Sequence, residues 1–316
     1  MNQPIRMGII GCGHAGLLHA QAIRKLNHLF SLVAIADINL KTTANAKERV
    51  YQDYLRLLSD PEVDAISICT RPCDHYNQAF TALRTTRKHV LVEKPPAFEI
   101  GQCQELAQLA KEKDVSLYLS HHTAMIPAVA AARELLAGRK VTRVDALHLD
   151  QAGKLHAPTK WTFDPMISGG GALMDCGINI MSAVMEVVPA VPFIPTRVRL
   201  SGPSTLKVET RVEADFRLGD GGFGHLTMDW ESPVNVRRIC FTMSDGEIIT
   251  IDTVRGRLFR DGAVVPGFEQ STNSLTEEYP LVYQDFARHI ANGRSYVNTR
   301  PLQFVLEAYN LAKRTR

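Results

Sequence analysis

No apolar run in this 316-residue chain approaches the roughly 18 residues that a bilayer span requires, so no membrane partner is expected. Charge of one sign is equally lacking. Thirty-six Lys and Arg against 33 Asp and Glu leave a net charge of +3, which removes the electrostatic case for nucleic acid. Metal and redox spacings are missing too. The six cysteines (Cys12, Cys69, Cys73, Cys103, Cys176, Cys240) are scattered, and the nearest two, Cys69 and Cys73, are not a C-x-x-C pair. They read as reduced thiols, and neither a zinc, an iron nor a flavin site is expected. The first residues carry one early arginine but no extended apolar segment, so no secretory signal is read and the cytoplasm is the expected location. There is no internal repeat and no low-complexity linker. Hydrophobic and charged contents of 45% and 22% are those of an ordinary globular chain, long enough for one large or two medium domains.

What is present in the first third is alternation. Short apolar runs at 5–11, 30–37, 63–70, 88–94 and 115–121 are separated by helical patterns at 15–26, 74–86 and 100–114. Runs that are apolar throughout suit strands buried on both faces, and strand–helix alternation predicts a parallel sheet covered by helices. After about residue 122 the pattern changes. A helix near 127–137, a strand at 141–150 and a helix at 172–188 lead into strand-like segments from 195 to 260. Asp220-Gly221-Gly222 and Asp245-Gly246 read as hairpin turns between antiparallel strands, and helices at 277–291 and 301–314 close the chain. The expected class is therefore α/β. A Rossmann domain (1–122) precedes an α+β domain (123–316) with a large open antiparallel sheet, and the last helices are candidates to pack back on the Rossmann domain. An open sheet face predicts a homo-oligomer formed through that sheet.

Gly11-Cys12-Gly13-His14-Ala15-Gly16 is a G-x-G-x-x-G turn that follows a strand and opens a helix, the setting in which it cradles a dinucleotide. Gly11 permits the turn, Gly13 lets a pyrophosphate approach the backbone, and Gly16 lets helix and strand pack; the N–H groups at His14 and Ala15 lie at the positive helix end. Asp37 closes the second apolar run, 21 residues after Gly16, where an acid accepts from ribose hydroxyls and repels a 2′-phosphate. NAD is favoured, and Lys41 keeps NADP open. The turn after the third run places Thr70, Pro72 and His75 at the carboxyl edge of the sheet, as candidate cofactor contacts. His75 reads equally well as an exposed residue at a helix start.

The fourth run enters Glu93-Lys94-Pro95-Pro96, where a lysine at a strand's carboxyl end must point into the crevice. With the glycine turn, the later Asp175-Cys176-Gly177-Ile178-Asn179 and the strand-rich second half, the whole chain resembles the glucose–fructose oxidoreductase/inositol dehydrogenase/rhizopine-catabolism (Gfo/Idh/MocA) family. The resemblance implies that Glu93 and Lys94 lie at the cofactor, with Lys94 beside the reacting carbon. The family's usual D-x-G-x-H histidine, its general base, is Asn179 here. Asparagine takes no proton at neutral pH, so Asp175 becomes the candidate base. Asp175 and Asn179, four apart in a helix, are expected on one face.

Asparagine at this place resembles the aldose 1-dehydrogenase branch of the family, as do Lys160-Trp161 after His156, Glu278-Tyr279-Pro280 and Arg300-Pro301-Leu302. That branch implies sugar contacts at His122, Asp150, His156, Trp161, Asp175 and Asn179. His121 competes with His122, since neighbours on a strand face opposite ways. The implied reaction is hydride transfer from C1 of an aldose to NAD, giving an aldonolactone. An inositol or other polyol dehydrogenase of the same family, and a sugar-sensing NAD-binding regulator without turnover, are the alternatives.

Overall fold

The computed structural model describes residues 3–43, 46–152, 160–219, 221–269 and 274–314. It divides into two compact units, Met1–Ser120 with Leu275–Thr299, and His121–Ser274 with Arg300–Arg316. Helix Leu275–Ala291 thus belongs with the first unit and helix Arg300–Arg314 with the second, so the chain crosses between units twice more than a single break at residue 122 allows.

The first unit is a six-stranded parallel sheet of β1 (Ile5–Ile10), β2 (Phe30–Ala36), β3 (Arg49–Tyr51), β4 (Ala65–Ile68), β5 (His89–Glu93) and β6 (Leu117–Ser120). Their order is β3-β2-β1-β4-β5-β6. The order reverses between β1 and β4, and the carboxyl edge at such a reversal is where open sheets bind ligands. Four buried residues in a row in β4 and in β6 match strands covered on both faces. β3 was not expected. Its three residues at the sheet edge, two exposed and one half-buried, are too few to show a period. Helices α1 (His14–Lys25), α3 (Pro72–Thr85) and α4 (Ile100–Lys113), with the short α2 (Tyr54–Leu58), cover the faces. Pro72 sits at the first helical position of α3, where a missing N–H costs nothing. Helix Leu275–Ala291 lays Tyr279, Tyr283 and Phe286 against α1 and the sheet core, all three buried.

The second unit contains an eight-stranded sheet, built from β7 (Val141–Leu149), β8 (Phe193–Ser201), β9 (Arg211–Leu218), β10 (Phe223–Asp229), β11 (Val236–Met243), β12 (Ile248–Asp252), β13 (Arg257–Arg260) and β14 (Ala263–Val264). The order is β14-β13-β12-β11-β7-β10-β9-β8. The sheet is not purely antiparallel. β7 inserts between β10 and β11, antiparallel to β11 but parallel to β10. A strand delivered by a long connection can enter in either direction, whereas the β9–β10 and β11–β12 hairpins cannot. Gly221 and Gly246 adopt the positive φ expected of those hairpin turns.

Residues alternate strictly along β9. Val212, Ala214, Phe216 and Leu218 point inward, each contributing roughly 1–3 kcal/mol by burial. Helix Arg300–Arg314 packs on β8, and α5 (Pro127–Leu136) on β12 and β13. The other face is polar: Arg197 and His225 both pair with Asp215, at 2.7 and 2.6 Å. Among the described residues no helix is long and apolar enough to cross a membrane.

Candidate active site

In the first unit the glycine turn is built as the dinucleotide reading requires. Gly11 has φ +90°, and a Cβ on Gly16 would stand 2.0 Å from the Gly11 carbonyl oxygen, inside any tolerable contact. A Cβ on Gly13 would meet nothing within 4 Å, so the backbone there is open to a ligand. No side chain caps α1 and no acid occupies its first turn, which leaves its N-terminal dipole for an anion. Asp37 follows β2 directly. Its Oδ2 accepts the Cys12 N–H at 2.6 Å and its Oδ1 the Asn39 N–H at 2.7 Å, so the acid is tied to the glycine turn itself. Thr70 follows β4 closely, with its methyl group 2.9 Å from the Cβ that Gly11 lacks. These residues fit a dinucleotide.

Two further residues expected at the cofactor have their side chains bonded within the first unit. Glu93 is 5% exposed; His19 Nε2 lies 3.0 Å from its Oε1, and Tyr279 also bonds it. His75 is not the exposed helix-start residue that the alternative reading expected. It is 1% exposed, with Nδ1 2.8 Å from the Pro95 carbonyl and Nε2 3.1 Å from the Thr70 carbonyl. Burial holds its pKa below the usual imidazole value despite these carbonyls. Glu93 ends β5 and His75 lies in the first turns of α3, and each finds its partners on another element. Sequence spacing alone cannot tell such a group from one aimed at the crevice. Lys94, between Glu93 and Pro95, is half-buried.

In the second unit the helix expected at 172–188 begins with a π-helical turn, Leu173–Gly177, and continues as Ile178–Val187. Asp175 lies in the π turn and is exposed; Asn179 is half-buried in the first α-helical turn. Wide turns of this kind concentrate at functional sites, because they re-aim side chains at the cost of regular hydrogen bonding. The Asn179 Oδ1 is buried and accepts no hydrogen bond from any described residue. The turn is anchored by Glu209, which motif reading missed. Its Oε1 accepts from the backbone N–H of Gly171 (3.1 Å) and Leu173 (3.0 Å) and from the Tyr309 hydroxyl (2.6 Å). Burial raises the Glu209 pKa above the ordinary carboxylate value, although all three donors favour the charged form.

Asp150, just beyond β7, accepts from His148 Nε2 at 3.0 Å and lies 3.5 Å from Arg237. Burial is the largest influence on Asp150 and opposes its charge, yet His148 and the Ala152 N–H bring its pKa below normal. His148 is itself pushed down by burial, with Asp150 and the more distant Asp175 acting the other way. Cys176 lies within 4.8 Å of both His148 and Asp150, and accepts the Trp230 indole N–H at 3.2 Å. His, Asp and Cys so placed have metal-ligand chemistry. In this structure His148 and Asp150 bond each other, Cys176 accepts from Trp230, and the Arg237 guanidinium lies 3.5 Å from Asp150. His148, Trp230 and Arg237 were invisible in the sequence, because strand residues brought together by sheet pairing share no local spacing.

His121 and His122 do not lie on a strand. β6 ends at Ser120, and a 3-10 turn, His122–Met125, follows and packs on helix Ile178–Val187. Both histidines are buried there, so strand alternation does not choose between them. Trp161 is 39% exposed at the start of a short 3-10 turn. His156 lies outside the described residues.

With this geometry in place, similarity to known proteins becomes informative. Residues 5–121 match the Gfo/Idh/MocA family, described as an oxidoreductase family with an NAD-binding Rossmann fold. Over 99% of the chain it is 30% identical to galactose 1-dehydrogenase of Pseudomonas fluorescens, covering 97% of that protein. The chain belongs to the Gfo/Idh/MocA oxidoreductase family. A solved D-galactose-1-dehydrogenase protein from Rhizobium etli superposes on this family member with a TM-score of 0.86 at 29% identity, over 98% of this chain and 96% of that one. Levoglucosan dehydrogenase, solved with NADH and levoglucosan, has the same fold (TM-score 0.87, 20% identity, 99% and 98% covered). This oxidoreductase is thus an NAD-binding dehydrogenase in fold and family.

Proposed function

We propose that this protein oxidises C1 of a free aldose of the galactose or arabinose type, with NAD as acceptor, to an aldonolactone. The observation that most supports this is the full-length similarity to galactose 1-dehydrogenase, and Asn179 in place of a histidine base is consistent with it. A C1 hydroxyl is more acidic than an ordinary alcohol, so a carboxylate suffices as base.

The first unit offers Gly11, Gly13, Gly16, His14, Ala15, Asp37 and Thr70 for the dinucleotide. When bound, NAD supplies the hydride acceptor. In this reading C1 loses hydrogen with its electron pair as hydride, the C1 hydroxyl gives its proton to Asp175, and the lactone carbonyl forms. Lys94 stabilises the negative charge that develops on that oxygen. The unsatisfied Asn179 Oδ1 accepts a sugar hydroxyl, a role that needs no proton uptake. Asp150, kept ionised by His148 and Arg237, accepts another, and the exposed Trp161 ring covers an apolar sugar face.

Absorbance at 340 nm tests this directly. Purified protein is incubated with NAD or NADP and, in turn, galactose, arabinose, fucose, xylose, glucose and myo-inositol. Turnover of at least one aldose with NAD is expected. Turnover of myo-inositol alone, or measured NAD binding with no turnover at all, overturns the proposal.

A further inference from the structure

Lys94 sits in a turn whose two flanking residues are each held by a buried histidine. On one side His19, on α1, reaches the Glu93 carboxylate with Nε2, while Tyr279 bonds the same carboxylate. The other ring nitrogen of His19 lies 2.9 Å from the Tyr283 hydroxyl, which is 2.6 Å from Ser67 Oγ. With a neutral ring, one set of donors satisfies every partner. Ser67 donates to Tyr283, Tyr283 donates to Nδ1, and Nε2–H donates to Glu93. His19, Ser67 and Tyr283 are fully buried, so each of these bonds is costly to leave unmade. On the other side His75, on α3, meets the Pro95 carbonyl at 2.8 Å and the Thr70 carbonyl at 3.1 Å. A neutral ring donates to only one of them, and the shorter contact assigns the proton to Nδ1 and Pro95.

A lysine side chain alone carries about 2 kcal/mol of rotamer entropy, and a loose turn beneath it would add backbone freedom. Here three elements converge on residues 93 and 95: α1, whose N-terminus opens the dinucleotide turn; α3; and helix Leu275–Ala291. We infer that His19 and His75 are positioning residues for Lys94, clamping its turn from both sides so that the ammonium is presented at one place. The inference rests on the reading of Lys94 as the group that assists hydride transfer. A displacement of about 1 Å in such a group is enough to cost on the order of 10²-fold in rate.

The test uses full-length protein. His19→Leu and His75→Leu remove the donors. His19→Gln restores a donor near the Nε2 position, and His75→Asn restores one near Nδ1. Measured are kcat and KM on the best sugar, NAD affinity by fluorescence quenching, melting temperature, and the rate at which Lys94 is acetylated in cofactor-free protein, read by mass spectrometry.

Each leucine variant is expected to lower kcat about tenfold or more and to change the Lys94 acetylation rate at least threefold, with sugar KM and NAD affinity within about threefold. The amide variants recover kcat to within about threefold of the parent. In a Lys94→Ala background His75→Leu should cost almost nothing further, since a positioning residue has nothing left to position. If a leucine variant does not fold, His75→Gln, whose donor is displaced by one methylene, carries the same comparison. An unchanged acetylation rate, full additivity with Lys94→Ala, or losses of NAD affinity that match the loss of kcat each overturn the inference. Near-normal kcat in Lys94→Ala would instead refute the reading of Lys94, a separate outcome.

Discussion

Removing the Glu209 carboxylate should both destabilise the second unit and displace the candidate base. Glu209 Oε1 accepts three hydrogen bonds at 3.1, 3.0 and 2.6 Å, two of them from backbone N–H groups at the entry to the helix carrying Asp175 and Asn179. Bonds to a charged acceptor contribute about 1.5–3 kcal/mol each, but the freed donors recover part of this through relaxation and water. Glu209→Ala should therefore cost roughly 3–5 kcal/mol. At about 2–4 °C per kcal/mol for a domain of this size, the melting temperature falls by roughly 6–20 °C.

Glu209→Gln keeps a carbonyl oxygen in the same place and is isosteric with the protonated acid. Because burial raises the Glu209 pKa, the folded state holds this proton above the ordinary carboxylate value. Stability from that group is complete below the unfolded pKa and is lost as pH rises through the folded one. Glu209→Gln should therefore cost less than about 2 kcal/mol, and its difference from the parent should change with pH across that window only. Urea titration and differential scanning calorimetry read the stabilities, and kcat reads the base. Glu209→Ala should lower kcat more than tenfold even at temperatures where the protein is fully folded. A melting temperature within 2 °C of the parent and an unchanged kcat would refute the anchoring argument.

Lys94→Ala should lower kcat about 10²-fold, and Asp175→Ala at least as much, in steady-state assays on the best sugar; near-normal turnover in Asp175→Ala removes it as the base. Asp37→Asn keeps an acceptor for the Cys12 N–H while removing the charge. It should shift the NAD-to-NADP ratio of kcat/KM towards NADP by about tenfold, and an unchanged ratio would clear Asp37 of cofactor choice. His75, His89 and His148 all have pKa values lowered by burial, so they are neutral when folded and protonated when unfolded just below the usual value. His225 runs the other way: burial opposes its charge, but Asp215 and Glu213 raise its pKa overall. Between about pH 5.5 and 6.5, stability should fall with acidification, each buried histidine adding at most about 1.4 kcal/mol per pH unit. The stability His225 contributes is complete below its unfolded pKa and is lost only above it, as pH rises through the raised folded value. Urea midpoints that rise on acidification would contradict this.

The sequence by itself determined the dinucleotide half. Gly11, Gly13, Gly16 and Asp37 act through backbone conformation, close packing and one carboxylate at a strand end, all of which are local and leave fixed spacings. The position of Lys94 was legible for the same reason, since it stands where a strand meets a turn. The strands of the second half announced themselves by alternation and by Asp-Gly turns. Their sheet order did not, because β7 pairs with segments some 80–100 residues away and the direction of entry leaves no local mark.

Only the tertiary structure decided which polar groups serve as supports. The internal partners of Glu93 and His75 on other elements left no local mark, and Glu209, His148, Arg237 and Trp230 became visible only when sheet pairing and helix packing assembled them. The cause in each case is burial. A charged or polar group beneath the surface must find partners across the fold, and a one-dimensional pattern does not record which distant residue supplies them.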